Sequence, residues 1–168
     1  MLVIFAGQGI NSNFRHTICN RLKEMTNICE ISSANIRCED FPCDFTLVFE
    51  KNPINIDAKN CVLVLNLLTT AQSILGEKYL IVNSSNQDDM RNAKSSGSEV
   101  ITCGMSLRDT LTFSSFTSDG CVLSLQRRIT RFDSTFADPF EIPLYCSENE
   151  DRYAILCANL LLILGGYL

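Results

Sequence analysis

The stretch "KYLIVNSSNQDDMRNAKSSGSEVITCG", residues 78–104, decides the fold. Its start is an apolar run, Tyr79 to Val82, closed by Asn83, and reads as a strand over 78–85 covered on both faces. Residues 86–95 carry Asp88, Asp89, Arg91 and Lys94 and read as a helix, which Gly97 ends. "EVITCG" (99–104) then resumes as a strand. Strand, helix and strand in so short a stretch form a crossover unit, and crossovers connect parallel strands.

Toward the N-terminus the same grammar continues. Residues 2–6 read as a strand, and 12–25 as a helix with Phe14, Ile18, Leu22 and Met25 on one face and Ser12 or Asn13 as its cap. "CEIS" (29–32), "DFTLVFEK" (44–51) and "CVLVLN" (61–66) add strands, and 67–76 reads as a loop or short helix. Toward the C-terminus the pattern changes. "TLTFSSFT" (110–117) and "CVLSLQRRI" (121–129) flank a turn containing Asp119-Gly120, which reads as a β-hairpin. "FEIPLYC" (140–146) is a third antiparallel strand, placed at an edge by Pro143. A helix over 149–164 follows. The expected fold is therefore α/β: a mainly parallel sheet with flanking helices, then an antiparallel meander and a C-terminal helix. It forms one domain over 1–168, with a parallel layer (1–104), an antiparallel subdomain (105–148) and the terminal helix (149–168).

Bulk properties restrict function. A net charge of −5 offers no footprint for nucleic acid and disfavours anionic membranes. The N-terminal apolar run has no basic segment before it and stops at Ala6-Gly7, so no secretion signal is read there. "YAILCANLLLILGGYL" (153–168) is too short for a membrane span, contains Asn159 and ends in Gly165-Gly166, so it reads as a buried helix, with partner docking the lesser alternative. A cytoplasmic protein is expected. The nine cysteines include no CxxC, and Cys38 and Cys43 are the only close pair, far from the sole histidine, His16. No metal site is expected, and the thiols are read as reduced, with Cys61, Cys103, Cys121 and Cys157 acting as small hydrophobes.

The loop "AGQGINSNFRHT" (6–17) sits between the first strand and helix, where many α/β proteins hold a phosphate. Laying G-x-x-x-x-G-K-[ST] from Gly7 puts Ser12 at the second glycine, Asn13 at the lysine and Phe14 at the hydroxyl, and all three fail. Losing one charge-assisted hydrogen bond, about 1.5–3 kcal/mol, weakens a phosphate grip roughly ten- to hundredfold. G-x-G-x-x-G also fails, because Ser12 follows Gly7 and Gly9 at the third position. The candidate nucleotide- or anion-binding residues are Gly7, Gly9, Asn11, Ser12, Asn13 and Arg15 in this loop and helix, with Asn83, Asp88 and Asp89 at the end of a later strand. The structural alternative for the last three is an asparagine turn and an acidic first helical turn. Arg127, Arg128 and Arg131 form a basic cluster, read as a solvated edge or an anion contact. His16 has no arranged nucleophile, so no catalytic residue is assigned.

The order Asn83, Asp88-Asp89, Gly104, hairpin and Leu164-Gly165 resembles the later part of the central, ATP-binding domain of the Mur ligase family, over about residues 78–166. The resemblance implies that domain's fold, with the asparagine near an adenine base. The sequence departs from the family in its phosphate loop. It also offers no counterpart of the family's metal-binding glutamate and histidine, its carbamylated lysine, or its closing C-terminal domain. Two functional readings follow. The first is a non-catalytic binding or regulatory module for a protein partner, a second copy or a small anionic ligand, with the hairpin and terminal helix as candidate surfaces. The second is a small enzyme retaining ATP or a nucleotide sugar in cell-wall precursor metabolism, with ATP and Mg²⁺ held more weakly. No other cofactor is assigned.

Overall fold

In the computed structural model of the chain, the described residues are 1–32, 35–38, 40–51, 56–68, 74–117 and 120–168. The first strand, β1 (Leu2–Ala6), lies in the interior of a ten-stranded sheet. The chain leaves β1 through helix α1 (Ser12–Lys23), then forms β2 (Ile28–Ser32), β3 (Ile36–Cys38) and β4 (Phe45–Glu50) on one side of it. It crosses to the other side with β5 (Ile56–Leu65), β6 (Ile74–Asn83), α2 (Gln87–Ser95) and β7 (Glu99–Gly104). Strands β2, β4, β1, β5, β6 and β7 are mutually parallel, as the apolar runs predict.

The antiparallel segment extends this sheet. β8 (Leu111–Phe116) pairs in parallel with β7, then β9 (Cys121–Leu125) and β12 (Phe140–Leu144) add antiparallel strands. β12 is the edge, where Pro143 removes a donor that no neighbour needs. The expected turn residues 118–119 lie outside the described residues, although Thr117 N–H donates to Gly120 O at 2.8 Å beside them. A small ribbon of β10 (Ile129–Thr130) and β11 (Phe136–Ala137) was not legible in the sequence. Neither was β3, a three-residue strand with no apolar alternation. Of the expected loop or short helix at 67–76, residues 69–73 lie outside the described residues, and 74–76 are strand.

Helix α3 (Arg152–Gly165) is buried from Tyr153 through Leu164. It packs with α1 against the sheet face carrying Val3, Phe5, Val62, Val64, Tyr79 and Ile81. This explains why its apolar residues show no helical stripe, and it takes away the docking surface allowed to this helix in the sequence reading. Among the described residues, no helix is long and apolar enough to cross a membrane. α2 covers the opposite face over β6, where Ile4, Leu63, Leu65, Leu80 and Val82 meet Ala93 and Met90. Helix α1 stops at Lys23, which leaves Met25 beyond it and 48% exposed instead of on the apolar face.

Cysteine chemistry also differs from expectation. The β9–β12 register sets Cys121 opposite Leu144, and this brings Cys146 alongside it, so the two form a disulfide with Cα atoms 6.0 Å apart. Cys61, Cys103 and Cys157 are free and buried, as the apolar runs predict.

Tyr153 Oη donates to Leu65 O at 2.7 Å, joining α3 to the carboxyl end of β5. Leu161→Ala, at a fully buried position, is expected to cost about 3 kcal/mol, on the order of 10 °C in Tm. Tyr153→Phe should cost only about 1 kcal/mol. Thermal or urea melts that reversed this order would contradict α3 as core.

Candidate functional site

The carboxyl ends of β1, β5 and β6 meet where the chain switches sides about β1, the position at which open α/β sheets usually place a ligand. Here the crevice is filled by protein. Gly7 has φ +130°, and a Cβ there would lie 2.0 Å from Asn66 O. A Cβ on Gly9 would lie 2.1 Å from Asn66 Oδ1. The glycines thus admit the 66–67 backbone and the buried Asn66 side chain.

The loop's N–H groups are spent in the same way. Gly7 N–H donates to Glu50 O at 3.1 Å, Gln8 to Leu67 O at 3.2 Å and Gly9 to Asn66 O at 3.0 Å. Ile10 donates to Gly7 O at 3.3 Å and Asn11 to Gly9 O at 2.9 Å. Asn11, not Ser12 or Asn13, caps α1, its Oδ1 accepting from Phe14 N–H at 2.9 Å. Phe14, at the hydroxyl position of a phosphate loop, is fully buried against Phe5.

Asp89 lies fully buried at the far side of this closure. Its carboxylate accepts from Leu67 N–H at 3.0 Å and from Leu68 N–H at 2.9 Å, and Asn92 Nδ2 donates to Leu68 O at 2.9 Å. Burial pushes its carboxyl above the ordinary range. The two backbone bonds pull it down without cancelling that effect, and the Asp88 charge adds to the rise.

The other candidates are apart from this closure. Asn83 Oδ1 accepts from Ser85 N–H at 3.0 Å, an asparagine turn that leads to the α2 cap, Asn86. Asp88 is exposed and pairs with Arg91 at 2.7 Å, one turn along α2. Asn13 Nδ2 donates to Asn149 O at 2.9 Å, tying α1 to the segment before α3. Arg15 pairs with Glu30 of β2 and lies 4.9 Å over the Phe49 ring. Ser12 and Arg15 line a recess beside α1. Of the nine candidates, Gly7, Gly9 and Asp89 are thus joined through residues 66–68, while Asn11 caps α1, Asn83 makes a turn, Arg15 and Asp88 form ion pairs, Asn13 ties α1 to the segment before α3 and Ser12 lines the recess.

Asn66, Glu30 and Asp109 were missed in the sequence. Asn66 closes an apolar strand as Asn83 does, and that repetition was its legible signal. Asp109 repeats the Asp89 arrangement one crossover along: its Oδ2 accepts from Ser84 Oγ at 2.9 Å and Ser106 N–H at 3.0 Å. A Cβ on Gly104 would lie 2.6 Å from that oxygen. The basic cluster is structural in part. Arg131 Nε donates to Ile163 O at 3.1 Å near the end of α3, and Arg128 pairs with Asp138 at 2.6 Å.

No family model matches the chain, and no curated protein matches it. Among solved structures, it is similar to a UDP-N-acetylmuramoyl-L-alanyl-D-glutamate–2,6-diaminopimelate ligase, at 8% identity and a TM-score of 0.54. The likeness covers 99% of this chain and 43% of that one, so the chain spans less than half of the ligase. The fold is Mur-ligase-like, as the sequence resemblance implies.

Gly7→Ala is expected to destabilise by about 3 kcal/mol or more, because it strains φ and meets a backbone carbonyl. Gly9→Ala should cost about 1–3 kcal/mol and be largely relieved in Gly9→Ala/Asn66→Ala, whereas Gly7→Ala should not be. A double-mutant cycle by urea melts checks this difference.

Asp89 also makes stability depend on pH. An unfolded aspartate titrates near about 3.9, below the raised folded value. As pH climbs through that window, the unfolded chain loses its proton first and the native state loses stability relative to it. Wild-type stability minus that of Asp89→Asn should therefore fall as pH rises from about 4. A difference that is flat or rises in melts at stepped pH would contradict the buried, raised carboxyl.

Proposed function

We propose that this Mur-ligase-like chain works as a non-catalytic binding or regulatory module, without the phosphate chemistry its fold elsewhere supports. The observation that carries this reading is the use of the N–H groups of residues 7–11 on Glu50, Asn66, Leu67 and the loop itself. A phosphate cradle requires those groups to point at oxygens of the ligand. Here an incoming phosphate would have to displace several internal hydrogen bonds, with no lysine in the loop to offset them. Asn13 and Phe14, at the lysine and hydroxyl positions, are held by Asn149 and by the core. Asp89, the buried acidic candidate, already accepts two backbone bonds.

ATP with Mg²⁺ would find little to hold it at these positions. Asp88 is the accessible carboxylate of the pair, and it faces Arg91. The function proposed is recognition of a small anionic ligand or a protein partner.

Calorimetric titration with ATP, ADP and a UDP-sugar, with and without Mg²⁺, tests the proposal on the wild type and Asn83→Ala. No heat at about millimolar nucleotide is expected. Micromolar binding that Asn83→Ala weakens would overturn it in favour of a small nucleotide-using enzyme.

A further inference from the structure

Three free cysteines, Cys29, Cys38 and Cys43, gather at the β2–β3 edge of the sheet, away from the closed switch point. The ladder there sets their geometry. Ser32 and Asn35 exchange N–H bonds at 2.9 and 3.3 Å, so they form a hydrogen-bonded pair. Antiparallel pairs alternate in type, and the register runs back through Ile31–Ile36 and Glu30–Arg37 to Cys29–Cys38. Cys29 and Cys38 are therefore a non-hydrogen-bonded pair, the kind whose Cα atoms stand about 4.5 Å apart with side chains close. That separation falls within the range of about 4.4–6.8 Å that a disulfide bridges.

Partners directly across a ladder share a face, and neighbours along a strand alternate. Glu30 meets Arg15 and Cys19 on the α1 side, so Cys29 and Cys38 stand on the other. Cys29 lies opposite Thr46 of β4, and Cys43 Sγ is 3.7 Å from Thr46 Oγ1, which brings the third thiol to the same side. Cys38 Sγ donates to Asp40 O at 3.3 Å. Local desolvation raises the Cys38 thiol above its ordinary range, and the Cys29 and Cys43 sulfurs beside it add to the rise.

Access differs across the cluster. Cys38 is the exposed one of the seven free cysteines, Cys43 is half-buried and Cys29 is buried. An outer sulfur that a reagent can reach, with an inner sulfur directly across from it, is the arrangement that thiol–disulfide exchange needs.

We propose that Cys29 and Cys38 form a reversible thiol–disulfide site whose oxidant is an external low-molecular-weight disulfide. Cys38 gives up its proton and attacks that disulfide, which breaks the external S–S bond and releases one half as a thiol carrying the proton. Cys29 then attacks Cys38 Sγ and displaces the second half, which leaves with the Cys29 proton. One external disulfide becomes two thiols, and two protein thiols become one bridge. The bridge makes the β2–β3 pairing covalent and fastens an edge strand that is exposed throughout. The site does not rest on the module reading.

The probe is oxidised glutathione, incubated with the full native chain. Samples are quenched in acid, alkylated after unfolding and mapped by peptide mass spectrometry. A Cys29–Cys38 bridge is expected, told apart from Cys121–Cys146 by its peptides and reopened by reduced glutathione. It should close at least about tenfold faster in the native chain than in urea, because the ladder holds the two sulfurs together. Cys43→Ser should keep the bridge, and Cys38→Ser should leave Cys29 open to alkylation. Cys29→Ser should accumulate a glutathione adduct on Cys38. Absence of the bridge from the native chain overturns the site, as does a bridge that maps to Cys43 or one that closes equally fast in urea. Cys38 is exposed, so Cys38→Ser removes no core contact and serves even where Cys29→Ser fails to fold. Nucleotide binding that depends on Asn83 would overturn the module reading and leave this site standing.

Discussion

Two hydrogen bonds from Leu67 and Leu68 to the Asp89 carboxylate hold the central crevice of this molecule shut. They pin the turn after β5 beneath α2, and that turn presents the Asn66 carbonyl and side chain to Gly7 and Gly9. The loop after β1 then closes on the same turn, donating from Gln8 and Gly9. A buried carboxylate carries a desolvation penalty, so the arrangement persists only because both N–H groups are aimed at it. Asp109 performs the equivalent task between β6 and β7, beside Gly104. At each closure an aspartate receives the donors and a glycine makes the room.

This shows how a sheet of this architecture can carry a loop at its switch point whose donors are used within the chain. The features that create a ligand cleft in an open sheet are topological: β1 in the interior and connections leaving to opposite sides of it. They remain whatever the loops contain. A cleft becomes a site only when donors and charge are left uncommitted, and at residues 7–11 the donors are committed to carbonyls of the same chain.

The fold was largely legible because apolar runs such as Tyr79–Val82 and Val62–Leu65 are long enough to mark buried parallel strands. Short edges were not: Ile36–Cys38 is exposed throughout and owes its strand state to pairing with β2. The candidate site was legible in place more than in role. Gly7 and Gly9 mark a close approach, but a phosphate and a neighbouring backbone ask the same of a glycine. Only the position of Asn66, more than fifty residues along the chain, separates the two cases. Likewise, Glu30 gains its role only from its ion pair with Arg15 of α1, a contact that no local pattern encodes.

The burial of α3 has a consequence for the order in which the molecule can be assembled. This helix follows every strand of the sheet in sequence, yet it packs beside α1 on the face that holds Val3 and Phe5. During synthesis the parallel strands emerge with that face covered in part by α1, and the rest stays bare until residues 153–164 leave the ribosome. The central sheet is therefore complete in sequence long before it is complete in solvation. Until then it exposes apolar surface of the kind that chaperones bind and that drives aggregation.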